Sequence, residues 1–207
     1  MEKITLCYFV VGDKLTRARG ENIKLFLVDA GLDHEYVRVP SFEGDWPAMK
    51  QQLVKDGYYA STLPYIKMGD KIWGRTLPVL RYLSAKLDYK YHGSNEEENY
   101  ILDVVSDVTN DWFENMKNAF FGDEEKKKHH AKVQTPSWLI KFENYYSDCK
   151  EGPYVLGNKI TYADFLVYHL IEDDGARDLL DDYPNLKLFA EAFEERPNIK
   201  KYLTSLQ

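Results

Sequence analysis

Cysteine is nearly absent: Cys7 and Cys149 are the only two in 207 residues. A fold stapled by disulfides is excluded, and the two cysteines do not read as a redox pair, so a reducing, cytoplasmic setting is expected. An excess of positive charge is missing too. With 27 basic against 34 acidic residues the formal net charge is −7, and nucleic acid is not an expected partner, because displacing phosphate counterions takes a basic face. No stretch joins a basic region to a long apolar run, so neither a signal peptide nor a membrane partner is expected. There is no Asn-x-Ser/Thr sequon. The run Glu124 to His130 pairs its charges at i,i+3 and i,i+4, and no Cys or acid completes a ligand spacing. It is read as a solvated helix face, and no metal is expected.

What the chain does have is apolar material, 44% of its residues, placed with clear periodicity. Ile4, Leu6 and Tyr8 alternate with Thr5, Cys7 and Phe9, the period of a strand. After an irregular piece, Gly12 to Thr16, the residues Ile23, Phe26, Leu27 and Ala30 recur at helical spacing, with Gly31 placed to stop the helix. His34 to Val39 alternates again, and a helix bearing Trp46, Met49 and Leu53 follows. Thr62 to Trp73 is two short apolar runs around Gly69-Asp70, which reads as a hairpin. Leu77, Leu80, Leu83 and Leu87 then form a helical stripe. The order is βαβαββα over residues 1–87, a linker over 88–94, and only helical periodicity over 95–207: two long helices, Asn95 to Phe121 and Asp123 to Cys149, then three shorter ones. Within the last part Thr161-Tyr162-Ala163-Asp164 is a capping box, flanked by an Ile160–Phe165 staple.

Several local runs, taken in order, carry a resemblance: Tyr8-Phe9, Asp45-Trp46-Pro47-Ala48-Met49-Lys50, Leu63-Pro64, Arg75-Thr76, and Gly157 to Asp164. On these the chain resembles the soluble glutathione transferases, most like the tyrosine-type sigma and pi classes, over essentially its whole length. The resemblance implies a thioredoxin-like α/β domain followed by an all-α domain, a homodimer, glutathione as co-substrate, and a small hydrophobic electrophile as second substrate.

The chemistry needs a thiolate, since an ordinary thiol ionises only near a pKa of about 8.5. A tyrosine hydroxyl donating to the sulfur stabilises that thiolate, and each pKa unit gained is about 1.4 kcal/mol. By position alone Tyr8 reads as an inward-facing aromatic of a strand rather than a catalytic group; the resemblance makes it the catalytic residue. The longer loop Val10 to Arg19 departs from the family pattern beside it. The resemblance further implies that Leu63, before a cis Pro64, pairs with the peptide backbone of glutathione, and that Trp46 and Lys50 hold its glycine end. Arg75-Thr76 stands where the family has Gln-Ser, at a helix N-terminus suited to the γ-glutamyl carboxylate. Asp107 would reach the γ-glutamyl ammonium in the partner subunit. Tyr59, or Tyr58, would be the aromatic that plugs the neighbouring subunit. The apolar substrate wall would draw on Phe9, Trp112, Phe113 and Met116, with Phe120 at the same spacing.

Two other functions share this pattern. A glutathione-dependent isomerase of the prostaglandin D synthase type would use the same thiolate. A non-catalytic relative, binding or structural, would keep the fold without turnover.

Overall fold

The computed structural model describes residues 2–11, 18–40, 44–148 and 151–206. The expectations attached to Gly12 to Thr16 and to Cys149 lie outside these residues. The elements are β1 (Ile4–Phe9), α1 (Arg19–Asp29), β2 (His34–Val39), α2 (Trp46–Lys55), β3 (Tyr65–Met68), β4 (Lys71–Gly74), α3 (Thr76–Lys86), α4 (Glu96–Phe120), α5 (Glu124–His129), α6 (Thr135–Asp148), α7 (Tyr162–Asp173), α8 (Pro184–Glu194) and α9 (Pro197–Thr204). The chain forms two compact units, Met1–Leu87 with Arg196–Gln207, and Asp88–Glu195.

In the first unit the sheet runs β2-β1-β3-β4, with β1 and β2 parallel and the other pairs antiparallel. The alternation along β1 separates its two faces. Tyr8 meets the backbone of α1 at Gly20, and α3 packs beside α1. Cys7 turns the other way, into a cluster with Tyr65 and with Leu53 of α2. Ile4, Leu6, Ile23, Leu27, Ile66, Leu80 and Leu83 are all buried, and each such side chain contributes about 1.5–3 kcal/mol on leaving water. Gly31 ends α1 as the sequence suggests: its φ is +66°, and the amides of Gly31 and Leu32 close back on the carbonyls of Val28 and Leu27 at 3.0 and 2.9 Å. These are the two bonds of a Schellman end, which a left-handed residue permits.

The last helix departs from the expected 95–207 helical part. Arg196, just before α9, places Nε and Nη2 on the two carboxylate oxygens of Asp29 at 2.5 and 2.8 Å, and Asn198 donates to the Asp29 carbonyl at 3.2 Å. A bidentate pair of this kind fixes geometry as well as adding attraction, and α9 belongs with α1.

In the second unit α7 is buried from Tyr162 through Ile171, as a central helix surrounded by others must be. Its start is built on Asp164. The carboxylate accepts from Thr161 N and Oγ1 at 2.7 Å each, from Tyr146 Oη at 2.9 Å and from Val155 N at 3.0 Å. Glu143 of α6 caps α8 in the same spirit, accepting from the amides of Asn185 and Leu186 at 3.0 and 2.9 Å.

The second long helix, expected without a break from Asp123 to Cys149, is interrupted by a π-helical turn over His130–Gln134. The wider turn rotates His130 inward, so the expectation of a solvated face holds for Glu124 to His129, which are exposed, and fails at His130, which is buried. His130 Nε2 lies 2.6 Å from Asp174, whose carboxylate also accepts from Trp112 Nε1 at 2.7 Å and Thr135 Oγ1 at 2.9 Å. A 3₁₀ turn, Arg177–Asp182, follows α7. Among the described residues no helix is long and apolar enough to cross a membrane.

Candidate functional site

The strand register decides which residues meet. Cys7 of β1 pairs with Tyr65 of β3, and Tyr65 pairs with Gly74 of β4. Because β1 runs against β3, and β3 against β4, the next residues out lie together at one end of the sheet. These are Tyr8 and Phe9 after Cys7, Leu63-Pro64 before Tyr65, and Arg75-Thr76 after Gly74. The Leu63-Pro64 peptide bond is cis, and the Pro64 carbonyl accepts from the Arg75 amide at 3.3 Å. That bond joins the start of β3 to the start of α3.

Tyr8 is 7% exposed. Its ring is tilted against Phe9 with centroids 5.8 Å apart, and Phe9 in turn meets the edge of Trp46 at 5.4 Å. Phe9 thus links the end of β1 to the first turn of α2. Lys50 follows one turn later on the same side of that helix and is exposed. The aromatic contact gives Phe9 a packing role that its strand position alone did not reveal.

Arg75 and Thr76 form the corner before α3. Arg75 holds φ +68° and ψ 124°, a conformation that costs a non-glycine residue on the order of 1–3 kcal/mol. Its carbonyl accepts from the Val79 amide at 3.0 Å, starting the helix. Thr76 is 6% exposed, and its Oγ1 is buried with no hydrogen-bond partner. A buried hydroxyl without a partner costs about 1–3 kcal/mol, and this one stands among the open amides at the N-terminus of an 11-residue helix, where the dipole favours an anion. Tyr58 places a second unpartnered hydroxyl beside the corner: a Cβ on Gly74 would fall 1.5 Å from Tyr58 Oη. Gly74 is therefore a glycine because Tyr58 fills the space of its side chain.

Cys7 offers no competing sulfur. Burial pushes its thiol up, opposed by a hydrogen bond with Tyr65. Beneath Tyr8, burial also pushes up the Tyr36 phenol, with Arg38 opposing and Glu21 and Tyr8 adding to the rise. Sequence reasoning passed over Gly20 and read Tyr36 only as a side chain available for burial. The available signal was a glycine inside the first turn of a predicted helix, where propensity disfavours it. A Cβ there would stand 2.3 Å from Tyr36 Oη and 2.6 Å from Tyr8 Cγ.

The remaining sequence candidates lie on α4 in the second unit. Asp107 is exposed, and Phe113 and Met116 are half-buried. Trp112 is corrected: at 0% exposure it has no surface to offer a substrate. Its indole donates to Asp174 and its ring packs on Trp138 and Phe142 at 6.3 and 5.2 Å. The helical stripe to which it belongs is core at this position. Phe120 is exposed and meets Phe121 edge-on at 5.1 Å. Among the described residues no group of three His, Cys, Asp or Glu could hold a metal ion.

Comparison with known proteins points to the same architecture. Residues 110–206 match the family "Glutathione S-transferase, C-terminal domain". Glutathione S-transferase P of Caenorhabditis elegans is 32% identical over 190 residues, covering 88% of this chain and 86% of the relative. The solved pi-class glutathione S-transferase of Onchocerca volvulus superposes with a TM-score of 0.83 at 28% identity, over 98% of this chain and 92% of that one. Prostaglandin synthase D of Nilaparvata lugens shares the fold, with a TM-score of 0.78 at 23% identity over 98% and 97% of the two chains.

Proposed function

The chain belongs to the glutathione S-transferase family and is a glutathione transferase, and from that premise we propose that it joins the glutathione thiolate to small hydrophobic electrophiles, with Tyr8 donating to the sulfur. The observation that carries this is the Thr76 hydroxyl: buried, unpartnered, at the N-terminus of α3, and on the same end of the sheet as Tyr8. An anionic ligand group at Thr76 would satisfy it, and the γ-glutamyl carboxylate has the charge for the place. Arg75 adds a cation next to it. The peptide backbone of glutathione would then run along Leu63 before Pro64, with its glycine end at Trp46 and Lys50.

In the reaction the thiol proton passes to solvent, the sulfur attacks the electrophilic carbon, and for an aryl halide the carbon–sulfur bond forms as the carbon–halogen bond breaks. Tyr8 stabilises the sulfur anion before the attack, and a hydrogen bond to a charged group is worth about 1.5–3 kcal/mol. Phe113 and Met116, half-buried on α4, are the side chains we assign to the apolar substrate. Tyr59, 82% exposed, is the aromatic suited to plug a second copy, and Asp107 would serve the partner's ligand, making the homodimer part of the site. Detoxification in the cytoplasm is the role that fits this chemistry.

The test is conjugation of glutathione to an aryl halide across a pH series, with wild type beside Tyr8→Phe. Loss of most of the rate near neutral pH, recovered at alkaline pH, supports Tyr8. Equal activity at every pH assigns the sulfur to another group. Glutathione binding without turnover in the wild type favours the non-catalytic relative. The isomerase alternative shares the fold of the Nilaparvata lugens protein, and a prostaglandin endoperoxide in the same assay separates it.

A further inference from the structure

Tyr8 is held from below by the first turn of α1, and that turn is held by α9. The backbone at Gly20, second residue of α1, is so close to Tyr8 that a Cβ would stand 2.7 Å from Tyr8 Cβ and 2.6 Å from its Cγ. The next residue, Glu21, is 2% exposed. A carboxylate that deep needs donors, since burial without them costs several kcal/mol. Tyr202 of α9 supplies one, its hydroxyl donating to Glu21 Oε1 at 2.7 Å. Lys24 Nζ, one turn along α1, lies 5.3 Å from the centre of the Tyr202 ring. At the far end of α1, Arg196 and Asn198 grip Asp29. The terminal helix thus clamps α1 at both ends, and only the Tyr202 end bears on the turn under Tyr8.

We infer that Tyr202 is a positioning residue for Tyr8, acting through Glu21 and the first turn of α1. This rests on the proposed role of Tyr8 at the sulfur. Removing the hydroxyl takes away the donor that ties Glu21 Oε1 to α9, and the first turn of α1 shifts in response. Gly20 has no side chain to absorb the shift, so it passes to the root of the Tyr8 ring. Hydrogen bonding to sulfur is sensitive to such displacements, because a misplacement of about 1 Å can cost on the order of a hundredfold in rate.

The experiment compares Tyr202→Phe, Arg196→Lys, Tyr8→Phe and the double variant Tyr8→Phe/Tyr202→Phe, reading kcat/KM for glutathione conjugation against pH. Tyr202→Phe should lose about three- to tenfold near neutral pH and recover at alkaline pH, with the apparent thiol pKa raised. Arg196→Lys, which loosens the other end of the clamp, should lower the melting temperature and leave the pH profile in place. In the double variant Tyr202→Phe should add nothing to Tyr8→Phe, because one effect travels through the other. Multiplying losses, an unmoved pH profile in Tyr202→Phe, or an equal shift in Arg196→Lys each overturn the inference. A Tyr8→Phe protein as active as wild type overturns the role of Tyr8 and this inference with it, which tells that failure apart from the others. Should Tyr202→Phe fail to fold, Glu21→Gln, which keeps the side-chain size, must show the same shift in pH profile; an unmoved profile overturns the inference.

Discussion

Thr76 and Thr161 are both buried threonines at the start of a helix, and they could hardly be treated more differently. Thr161 donates to Asp164 at 2.7 Å inside a hub that also takes Tyr146 and Val155. Thr76 has no partner for its hydroxyl. The contrast extends to the two units. In the second, Asp164, Asp174 and Glu143 gather buried donors from several helices. In the first, Asn22 Oδ1, Tyr36 Oη, Tyr58 Oη and Thr76 Oγ1 are buried without partners, whereas in the second unit Arg177 Nη1 is an exception to the pairing. Buried polar groups are ordinarily satisfied. Of these, Thr76 Oγ1 and Tyr58 Oη stand at the corner before α3, on the end of the sheet where Tyr8 lies, and a bound ligand there would satisfy them, whereas the pairing in the second unit holds its helices together.

The sharpest break of this contrast is Asp164→Ala. It strips the acceptor from three other residues at once and should cost about 3 kcal/mol or more, read as a lowered urea midpoint, with the glutathione KM unchanged in the protein that remains folded. Next comes Tyr8→Phe, expected to lower kcat/KM near neutral pH about ten- to a hundredfold, the equivalent of one hydrogen bond to a charged sulfur, with little change in the urea midpoint. The two threonines then separate cleanly. Thr76→Val should raise the glutathione KM about tenfold and leave stability equal or higher, because an unsatisfied hydroxyl has been removed. Thr161→Val should cost about 1–2 kcal/mol of stability and leave KM alone. If both valine variants behaved alike, the contrast between the units would fall.

The smallest effect is a pH dependence in the second unit. Burial disfavours the His130 imidazolium, but its hydrogen bonds to Asp174 and Gln134 and the Asp174 charge outweigh that and raise the pKa above the ordinary 6.5. A raised pKa in the folded state means the stabilisation is fully present below the unfolded value and is lost as pH rises through the folded one. Unfolding free energy should therefore decline as pH climbs past the ordinary histidine range, and the decline should be absent in His130→Gln.

Much of the first unit was legible because its signals are local. Alternation marked β1 and Gly31 marked the end of α1, as the capping box marked α7 in the second unit, each within a few residues. What escaped depended on distant partners. Nothing near His130 announces Asp174, 44 residues away, so a charged run read as solvated hides a buried hydrogen bond and the π-helical turn that delivers it. Nothing near Arg196 announces Asp29, 167 residues away, so α9 was assigned to the helical part although it grips α1. Trp112 failed for a subtler reason: core and substrate wall share one helical spacing, and the full burial of the ring with its indole bond to Asp174 tells them apart. At the candidate site the residue types were readable from Tyr8 to Thr76, but the unpaired state of the Thr76 hydroxyl is a property of packing.

The most direct measurement is a spectroscopic titration of the glutathione thiol bound to wild type and to Tyr8→Phe. With Tyr8 donating to the sulfur, the bound thiol ionises well below its free value of about 8.5 in the wild type, and returns toward that value in the variant. The same thiol pKa in both proteins would contradict Tyr8 as the group that stabilises the thiolate.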